Sequence, residues 1–143
     1  MFCLNCKCNI DDRIMQYSVK KYAISLCIDC QRWIDSMSKF CTVECIRLYF
    51  ALRDRNVPAQ LEKFDGYKHI DIAIPQAKIN IEVDGMHHNF NAKQALTDLK
   101  RTYYSFLKGY FTLRIPNSLL RDDDSLQETA DWIAAFLNEQ NNK

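Results

Sequence analysis

The sequence of 143 residues lacks three features that would assign it to an extreme class of protein: a long apolar run, a large net charge and a low-complexity tract. No apolar run is long enough to cross a bilayer, and the N-terminus has no apolar core of the signal-peptide kind. We therefore expect a cytoplasmic protein with no membrane partner. The net charge of +1 gives no indication of a nucleic-acid partner. With 48% hydrophobic residues, the chain can bury one core and carry a small appendage.

The small net charge conceals an uneven distribution along the chain. Lys and Arg outnumber Asp and Glu by nine to six in residues 1–58 and by eight to six in residues 59–120. Residues 121–143 instead hold two basic residues against six acids. The middle segment stays positive although it carries three candidate metal-binding acids, so we expect a basic surface around them.

Cysteine is abundant, with seven residues in the chain and six of them before residue 42. In an intracellular protein such a count indicates metal binding before disulfides. Two CxxC pairs, Cys3-Leu-Asn-Cys6 and Cys27-Ile-Asp-Cys30, are separated by 20 residues. This spacing favours a tetrahedral Zn²⁺ site, and four thiolates would leave no open position for chemistry. The zinc is therefore expected to be structural.

The cysteine pairs predict a small zinc module over residues 1–40. Between the pairs, residues 13–18 and 22–26 are interpreted as a β-hairpin, and the second pair leads into a helix, as in a treble clef or zinc ribbon. Cys8 is an alternative ligand to one member of the first pair. Cys41 and Cys45 could form a second, weaker site, although Cys45 also fits a buried apolar stripe.

Two short apolar runs, residues 69–74 and 78–84, predict adjacent strands that carry three acids. Side chains alternate along a strand, so Asn80, Glu82 and Asp84 share one face, and a hairpin would place Asp71 beside them. Three clustered carboxylates repel one another unless a cation neutralises them. Oxygen ligands suit Mg²⁺ or Mn²⁺, while the alternative is a set of solvated acids on the polar face of a hairpin.

A glycine and two histidines directly follow the second strand. Gly85 permits a sharp turn, and His87 or His88 would then lie where an imidazole can transfer protons or contact phosphate. One of the two histidines is expected to be structural.

Helical periodicity predicts three helices around these strands. Residues 42–56 bury the stripe Cys45, Leu48, Tyr49 and Leu52. Glu44 lies near the start of this helix, either as an acid favoured by the helix dipole or as a fourth carboxylate of the metal site. After a strand at residues 110–115, Ser125-Leu-Gln-Glu128 predicts a capping box that opens an amphipathic helix. Its inward residues are expected to be Leu126, Ala130, Ile133 and Leu137.

The helix predicted at residues 91–108 has an apolar and a polar face. We expect the apolar face to be buried; its residues are Leu96, Leu99, Tyr103 and Phe106. The polar face is either an exposed surface or a ridge that meets the acids; its residues are Gln94, Asp98, Arg101 and Ser105.

From Thr42 to Leu120, a little over half of its length, the chain resembles the restriction-endonuclease-like, or PD-(D/E)xK, nuclease superfamily. It is most similar to the very-short-patch-repair-like branch. The resemblance rests on Glu44, Asp71, Glu82-Val-Asp-Gly85 with the following histidines, Gln94, Asp98, Arg101 and Arg114. His69-Ile70 replaces the proline that usually precedes the first acid, and Asp84 stands where a lysine is usual. In the similar branch an acid or histidine takes that place, and a nearby histidine supplies base chemistry.

This resemblance implies an α/β fold over residues 41–143, with α-β-β-β-α-β order and a mixed central sheet flanked by helices. It implies a Mg²⁺- or Mn²⁺-dependent endonuclease that hydrolyses DNA, in repair, restriction or mobile-element processing. Asp71 and Glu82 would hold the metal, Asp84 would hold it or orient water, and Glu44 would complete the outer shell. His87 or His88 would move protons. The expected DNA contacts are Gln94, Arg101 and Arg114, extended by Lys20 and Lys21 of the zinc module.

Two other functions remain open from the sequence. The first is a non-catalytic zinc-containing nucleic-acid binder, because a fold does not fix a function. The second is a protein-interaction module that uses the zinc unit and the acidic last helix. The choice between DNA and RNA also stays open, as does the oligomeric state, with a dimer possible.

Overall fold

The computed structural model describes residues 1–37, 42–64, 69–84 and 92–141. These residues form a mixed α/β structure. Its helices are α1 (Asp12–Tyr22), α2 (Ile28–Met37), α3 (Val43–Asp54), α4 (Ala92–Leu107) and α5 (Asp123–Asn141). Its strands are β1 (Gln60–Phe64), β2 (His69–Ile74), β3 (Ile79–Asp84) and β4 (Phe111–Pro116). Within this part of the chain, no helix is both long and apolar enough to span a membrane.

The four strands form one mixed sheet in the order β1-β2-β3-β4. β1, β2 and β3 are antiparallel neighbours, whereas β4 runs parallel to β3. A parallel neighbour requires a crossover connection, and α4 provides it. The predicted α-β-β-β-α-β order is therefore confirmed as α3-β1-β2-β3-α4-β4, with α5 following.

The hydrophobic core lies on one face of the sheet, under α3 and α5. The buried stripes predicted for both helices are confirmed, because alternate strand positions and helical repeats at three and four residues meet there. Its central side chains are Leu48, Tyr49, Leu52, Leu61, Ile72, Ile81, Ile115, Leu126, Ala130, Ile133 and Leu137. The start of α5 differs from the prediction. The Asp122 carboxylate accepts a hydrogen bond from the Ser125 backbone N–H at 2.8 Å, so Asp122 caps the helix and α5 begins before Ser125.

The predicted hairpin at residues 13–26 is wrong, because most of this segment is helix α1. The Asp11 carboxylate caps the helix by accepting a bond from the Arg13 backbone N–H at 2.7 Å, and Ala23 ends it in the left-handed conformation. Lys20 and Lys21 in its last turn suit the negative end of the helix dipole. The four-cysteine unit is thus a knuckle followed by two helices, not a ribbon built on a hairpin.

The prediction for α4 is also wrong about which face is buried. Its apolar residues Leu96, Leu99, Tyr103 and Phe106 are exposed, while Arg101 and Ser105 line a cleft against the sheet. The strands beneath α4 present polar side chains on that side, so the polar helix face is the complementary one. Gly109 ends the connection with a φ of +86°, a value that favours glycine.

Candidate functional sites

The four cysteines of the two CxxC pairs converge at the N-terminus. The Sγ atoms of Cys3, Cys6, Cys27 and Cys30 all lie within 4.8 Å of one another, and no other group of three or more Cys, His, Asp or Glu in the described part of the chain is this close. The Cys6 and Cys27 sulfurs are 3.7 Å apart. A tetrahedral ion with metal–sulfur bonds of 2.3 Å has sulfur–sulfur edges of about 3.8 Å. The cluster therefore has the composition and spacing to hold a metal ion such as zinc.

Neighbouring polar groups fix the position of these sulfurs. The Leu4 backbone N–H donates to the Ser25 carbonyl at 2.8 Å, which ties the first pair to the chain just before the second pair. Ser18 is fully buried; its hydroxyl donates to the Ile24 carbonyl at 2.6 Å and accepts from the Leu26 N–H at 2.8 Å. The Asn5 amide donates to the Cys30 sulfur at 3.3 Å. Such outer contacts orient ligands in metal sites.

The thiols of the cluster differ in acidity. Burial raises the pKa of Cys3, but surrounding backbone N–H groups, that of Cys27 foremost, outweigh it and lower the pKa to about 6. For Cys30, burial dominates and raises the pKa to about 12. A bound cation stabilises thiolates, so metal binding here would release protons.

Cys8 and Cys45 are not members of this group of four. Cys8 is exposed, and its hydrogen bond with the Cys6 side chain raises the pKa of Cys8 to about 12. Cys45 is buried in the hydrophobic core, as the apolar stripe predicts, and its sulfur is engaged in a disulfide, so Cys45 is not the free thiolate that the predicted second, weaker metal site would need. Cys41 lies outside the described residues.

A second candidate site is the polar cleft between α4 and strands β3 and β4. Parallel pairing places Asn80 beside Thr112 and Glu82 beside Arg114, so these four side chains share one face of the sheet. α4 closes the cleft from above, and its lining residues are Ile70, Asn80, Glu82, Arg101, Thr102, Ser105, Thr112 and Arg114. Polar side chains therefore make up most of the lining.

Each of the three predicted metal-binding acids has a partner in the structure. Glu82 is 6% exposed, and its carboxylate lies 3.5 Å from the Arg101 guanidinium. Asp84 lies 3.5 Å from the guanidinium of Arg114, which also donates to the Thr102 hydroxyl at 2.7 Å. Glu82, Arg101 and Arg114 thus line the cleft, and Asp84 is paired with Arg114.

Asp71 occupies a special position between the strands. Its carboxylate accepts a hydrogen bond from the Val83 backbone N–H at 2.9 Å, beyond the last paired position, Ile72 with Ile81. The Asp71 side chain thus accepts a hydrogen bond that a backbone carbonyl of β2 would accept if the regular strand pairing continued. Ile70 lines the cleft and is not in the core cluster that contains Ile72 and Ile74, although alternation along a strand predicts one shared face for all three.

The three acids lie on adjacent strands, but their carboxylates do not form one close group among the residues described. Their chemistry still fits a hard divalent ion, which prefers carboxylate oxygens. Because Glu82 and Asp84 already have arginine counter-ions, a bound divalent ion would have to share or replace those ion pairs.

The other predicted site residues are distributed around the molecule. Glu44 lies in the first turn of α3, on the opposite side of the sheet from α4, and Gln94 belongs to the first turns of α4. Lys20 and Lys21 end α1, where the Lys21 ammonium lies 3.4 Å from the Asp35 carboxylate. Gly85, His87 and His88 lie outside the described residues.

The sequence analysis missed two cleft residues, Thr102 and Thr112. A signal was available for Thr112, because it alternates with Arg114 along β4 and must share its face. Thr102 carried no such signal, since its position depends on the rotation of α4.

A mixed sheet with helices on both faces is an architecture found in nuclease catalytic domains. The catalytic domain of the homing endonuclease I-Bth0305I has a similar fold, with a TM-score of 0.52 and 18% sequence identity over 66% of this chain and 95% of that domain. No family model matches the chain, and no curated protein matches it significantly. The comparisons therefore establish a nuclease-like fold, without singling out the very-short-patch-repair-like branch.

Proposed function

We propose that the protein is a metal-dependent endonuclease that hydrolyses DNA phosphodiester bonds. The observation that carries the proposal is the cleft lined by Glu82, Arg101 and Arg114, with Asp84 paired to Arg114 and Asp71 bonded to the Val83 N–H of the same strand β3. Carboxylates and arginines so close together provide ligands for a divalent cation and donors for a phosphate. The similarity to a homing endonuclease catalytic domain supports the same reading.

The acids are assigned to the metal. Asp71 and Glu82 would hold Mg²⁺ or Mn²⁺, and Asp84 would share the ion or orient the attacking water. Glu44, on the other side of the sheet, is not assigned to this ion. Such an ion polarises the phosphate and lowers the pKa of a bound water. The hydrogen bond from the Val83 N–H holds the Asp71 carboxylate next to the strand that carries the other two acids.

The arginines are assigned to the DNA backbone, where most protein–DNA hydrogen bonds are made. Arg114 is the more accessible of the two, with 36% of its side chain exposed against 17% for Arg101. The Thr102 hydroxyl orients the Arg114 guanidinium. Gln94 would extend this surface along α4, and His87 or His88 would transfer the proton of the attacking water or contact the scissile phosphate.

The four-cysteine unit is assigned a structural Zn²⁺ ion. Four sulfur ligands would close its coordination shell, so this ion would support folding and take no part in hydrolysis. Lys20, exposed at the end of α1, would add an electrostatic DNA contact, with a smaller share from Lys21 because of its pairing with Asp35.

The first test is cleavage of supercoiled, linear and mismatched DNA with Mg²⁺ or Mn²⁺, with and without chelator. We expect Glu82→Gln and Asp71→Asn each to abolish cleavage, because an amide is a poor ligand for a hard divalent ion. Both variants should fold, since an amide oxygen can still accept the Val83 or Arg101 hydrogen bond. Glu128→Gln, which changes an exposed acid on α5, is the matched control and should retain full activity.

Normal cleavage by both carboxylate variants would contradict the assignment of the acids. A second candidate, the non-catalytic nucleic-acid binder, is favoured by one observation: Glu82 and Asp84 already have arginine counter-ions and need no metal for neutrality. Salt-dependent DNA binding without cleavage in either metal would support that candidate.

A further inference from the structure

We propose that two copies of this chain pair through the outer face of α4. This face carries an apolar ridge, which we define as Leu96, Leu99, Tyr103, Phe106 and Leu107. All five side chains are at least half exposed, with Leu99 at 65% and Phe106 at 70%. Large contiguous apolar patches are rare on monomeric proteins and usually mark an interaction site. The ridge lies on the opposite side of α4 from the cleft, so pairing would leave the cleft open.

The spacing of the ridge fits a second helix. Leu96, Leu99, Tyr103 and Phe106 follow one another at intervals of three, four and three residues. This is the repeat that lets side chains of one helix insert between those of a facing helix. Within its own chain, α4 turns the other face, with Arg101 and Ser105, towards the sheet, so the apolar repeat faces away from the sheet.

The area of the ridge fits a dimer interface. An aromatic side chain presents about 150–250 Å² when fully exposed, and a leucine lies near the lower end of that range. At the exposed fractions above, the five ridge residues present on the order of 600 Å² of surface. A standard interface buries about 800 Å² on each partner, a little over half of it apolar. One ridge against a second ridge therefore supplies the apolar area that a stable dimer requires.

The chemistry of the ridge fits a partner with an identical surface. In a two-fold dimer the same patch meets itself, so a charged centre would oppose pairing. The five ridge residues carry no charge, and Lys93 and Lys100 lie at the edge of the ridge, where long side chains can keep their ammonium groups in water. The pairing is independent of the proposed nuclease activity.

The test is the mass of the full metal-loaded chain in solution, measured by sedimentation equilibrium over a wide concentration range. We expect a mass that approaches twice the 16.8 kDa of one chain. Leu99→Glu/Phe106→Glu should stay at the mass of one chain over the same range, because pairing would bury four carboxylates without partners. Trp132→Glu is the control: Trp132 is 72% exposed but lies on α5, so this variant should dimerise like the wild type.

Circular dichroism and metal content check that the variants fold. We expect them to fold because Leu99 and Phe106 are both exposed. A milder variant, Leu99→Asn, should weaken association at least tenfold. A wild-type chain that remains monomeric throughout would overturn the proposal, whether or not the ridge binds some other protein. Equal dimerisation by wild type and the double glutamate variant would also overturn it, by placing the interface elsewhere.

Discussion

Glu82 is a carboxylate that the fold has almost entirely removed from water. Removing a charge from water costs several kcal/mol unless a partner compensates it, and Arg101 is the partner that the structure shows. Asp84 and Arg114 form a similar pair nearer the surface, where solvent screens the attraction. The two pairs are alike in chemistry and differ in depth, so the same change should have different consequences in each.

Arg101→Ala should therefore lower the free energy of unfolding by about 3 kcal/mol, since it leaves a buried carboxylate without its counter-charge. Arg114→Ala is the matched control and should cost less than about 1 kcal/mol, because its pair is more exposed. Urea unfolding without divalent cations measures both. Adding Glu82→Gln to Arg101→Ala should recover part of the loss, because a neutral amide needs no counter-charge. Equal costs for both arginine variants would mean that burial does not control the strength of these pairs.

At the scale of the elements, Ser18 joins α1 to the segment that presents the second cysteine pair. Its hydroxyl satisfies both the Ile24 carbonyl and the Leu26 N–H. Ser18→Ala would leave both groups without this partner in a buried place, at a cost of about 2 kcal/mol. Because Leu26 directly precedes Cys27, we also expect weaker metal binding.

The measurement for Ser18→Ala is urea unfolding together with competition between the protein and a chromophoric chelator. Ser36→Ala removes another serine that donates to a carbonyl, that of Trp33, but at an exposed site. It should change stability by less than about 0.5 kcal/mol and leave metal affinity unchanged. Equal losses of stability and of metal affinity in the two variants would show that Ser18 does not position the metal ligands.

Sequence patterns predicted a helix or strand correctly where a single periodicity of apolar residues dominated the segment. Strict alternation gave β3 and placed Glu82 and Asp84 on one face, and the helical repeat gave the buried stripes of α3 and α5. The segment of α1 was wrongly predicted as a hairpin. Tyr22, Ile24 and Leu26 do alternate with smaller residues, but the Asp11 cap favours the helix, which ends at Tyr22.

The cleft was harder to predict than the elements around it. The usual rule that the apolar face of a helix is buried fails for α4, because the strand face beneath this helix is polar. A local sequence pattern does not show which surface a helix face packs against. For the same reason the Glu82–Arg101 pair could not be derived. It depends on the rotation of α4 about its axis, which only tertiary packing determines.

At the scale of the whole molecule, the four-cysteine unit and the α/β unit share a continuous apolar core. Leu26 and Ile34 belong to the same cluster as the side chains of α3, and the Trp33 and Tyr49 rings lie 6.0 Å apart. Cys3 and Cys30 of the four clustered cysteines also belong to this core. The prediction of separate units at residues 1–40 and 41–143 can therefore be tested by removing the metal.

We expect chelation to open the four-cysteine unit while the sheet stays folded, because metal binding and folding are coupled in such units. Amide hydrogen exchange should accelerate by about 100-fold at Gln31, whose N–H donates to the Cys27 carbonyl, since this factor corresponds to the loss of about 2.7 kcal/mol of ligand stabilisation. Exchange at Ile81 in β3 should change less than tenfold. Cys27→Ser should show fast exchange at Gln31 with or without chelator. Equal acceleration at Gln31 and Ile81 would instead mean that the metal stabilises the whole molecule as one cooperative unit.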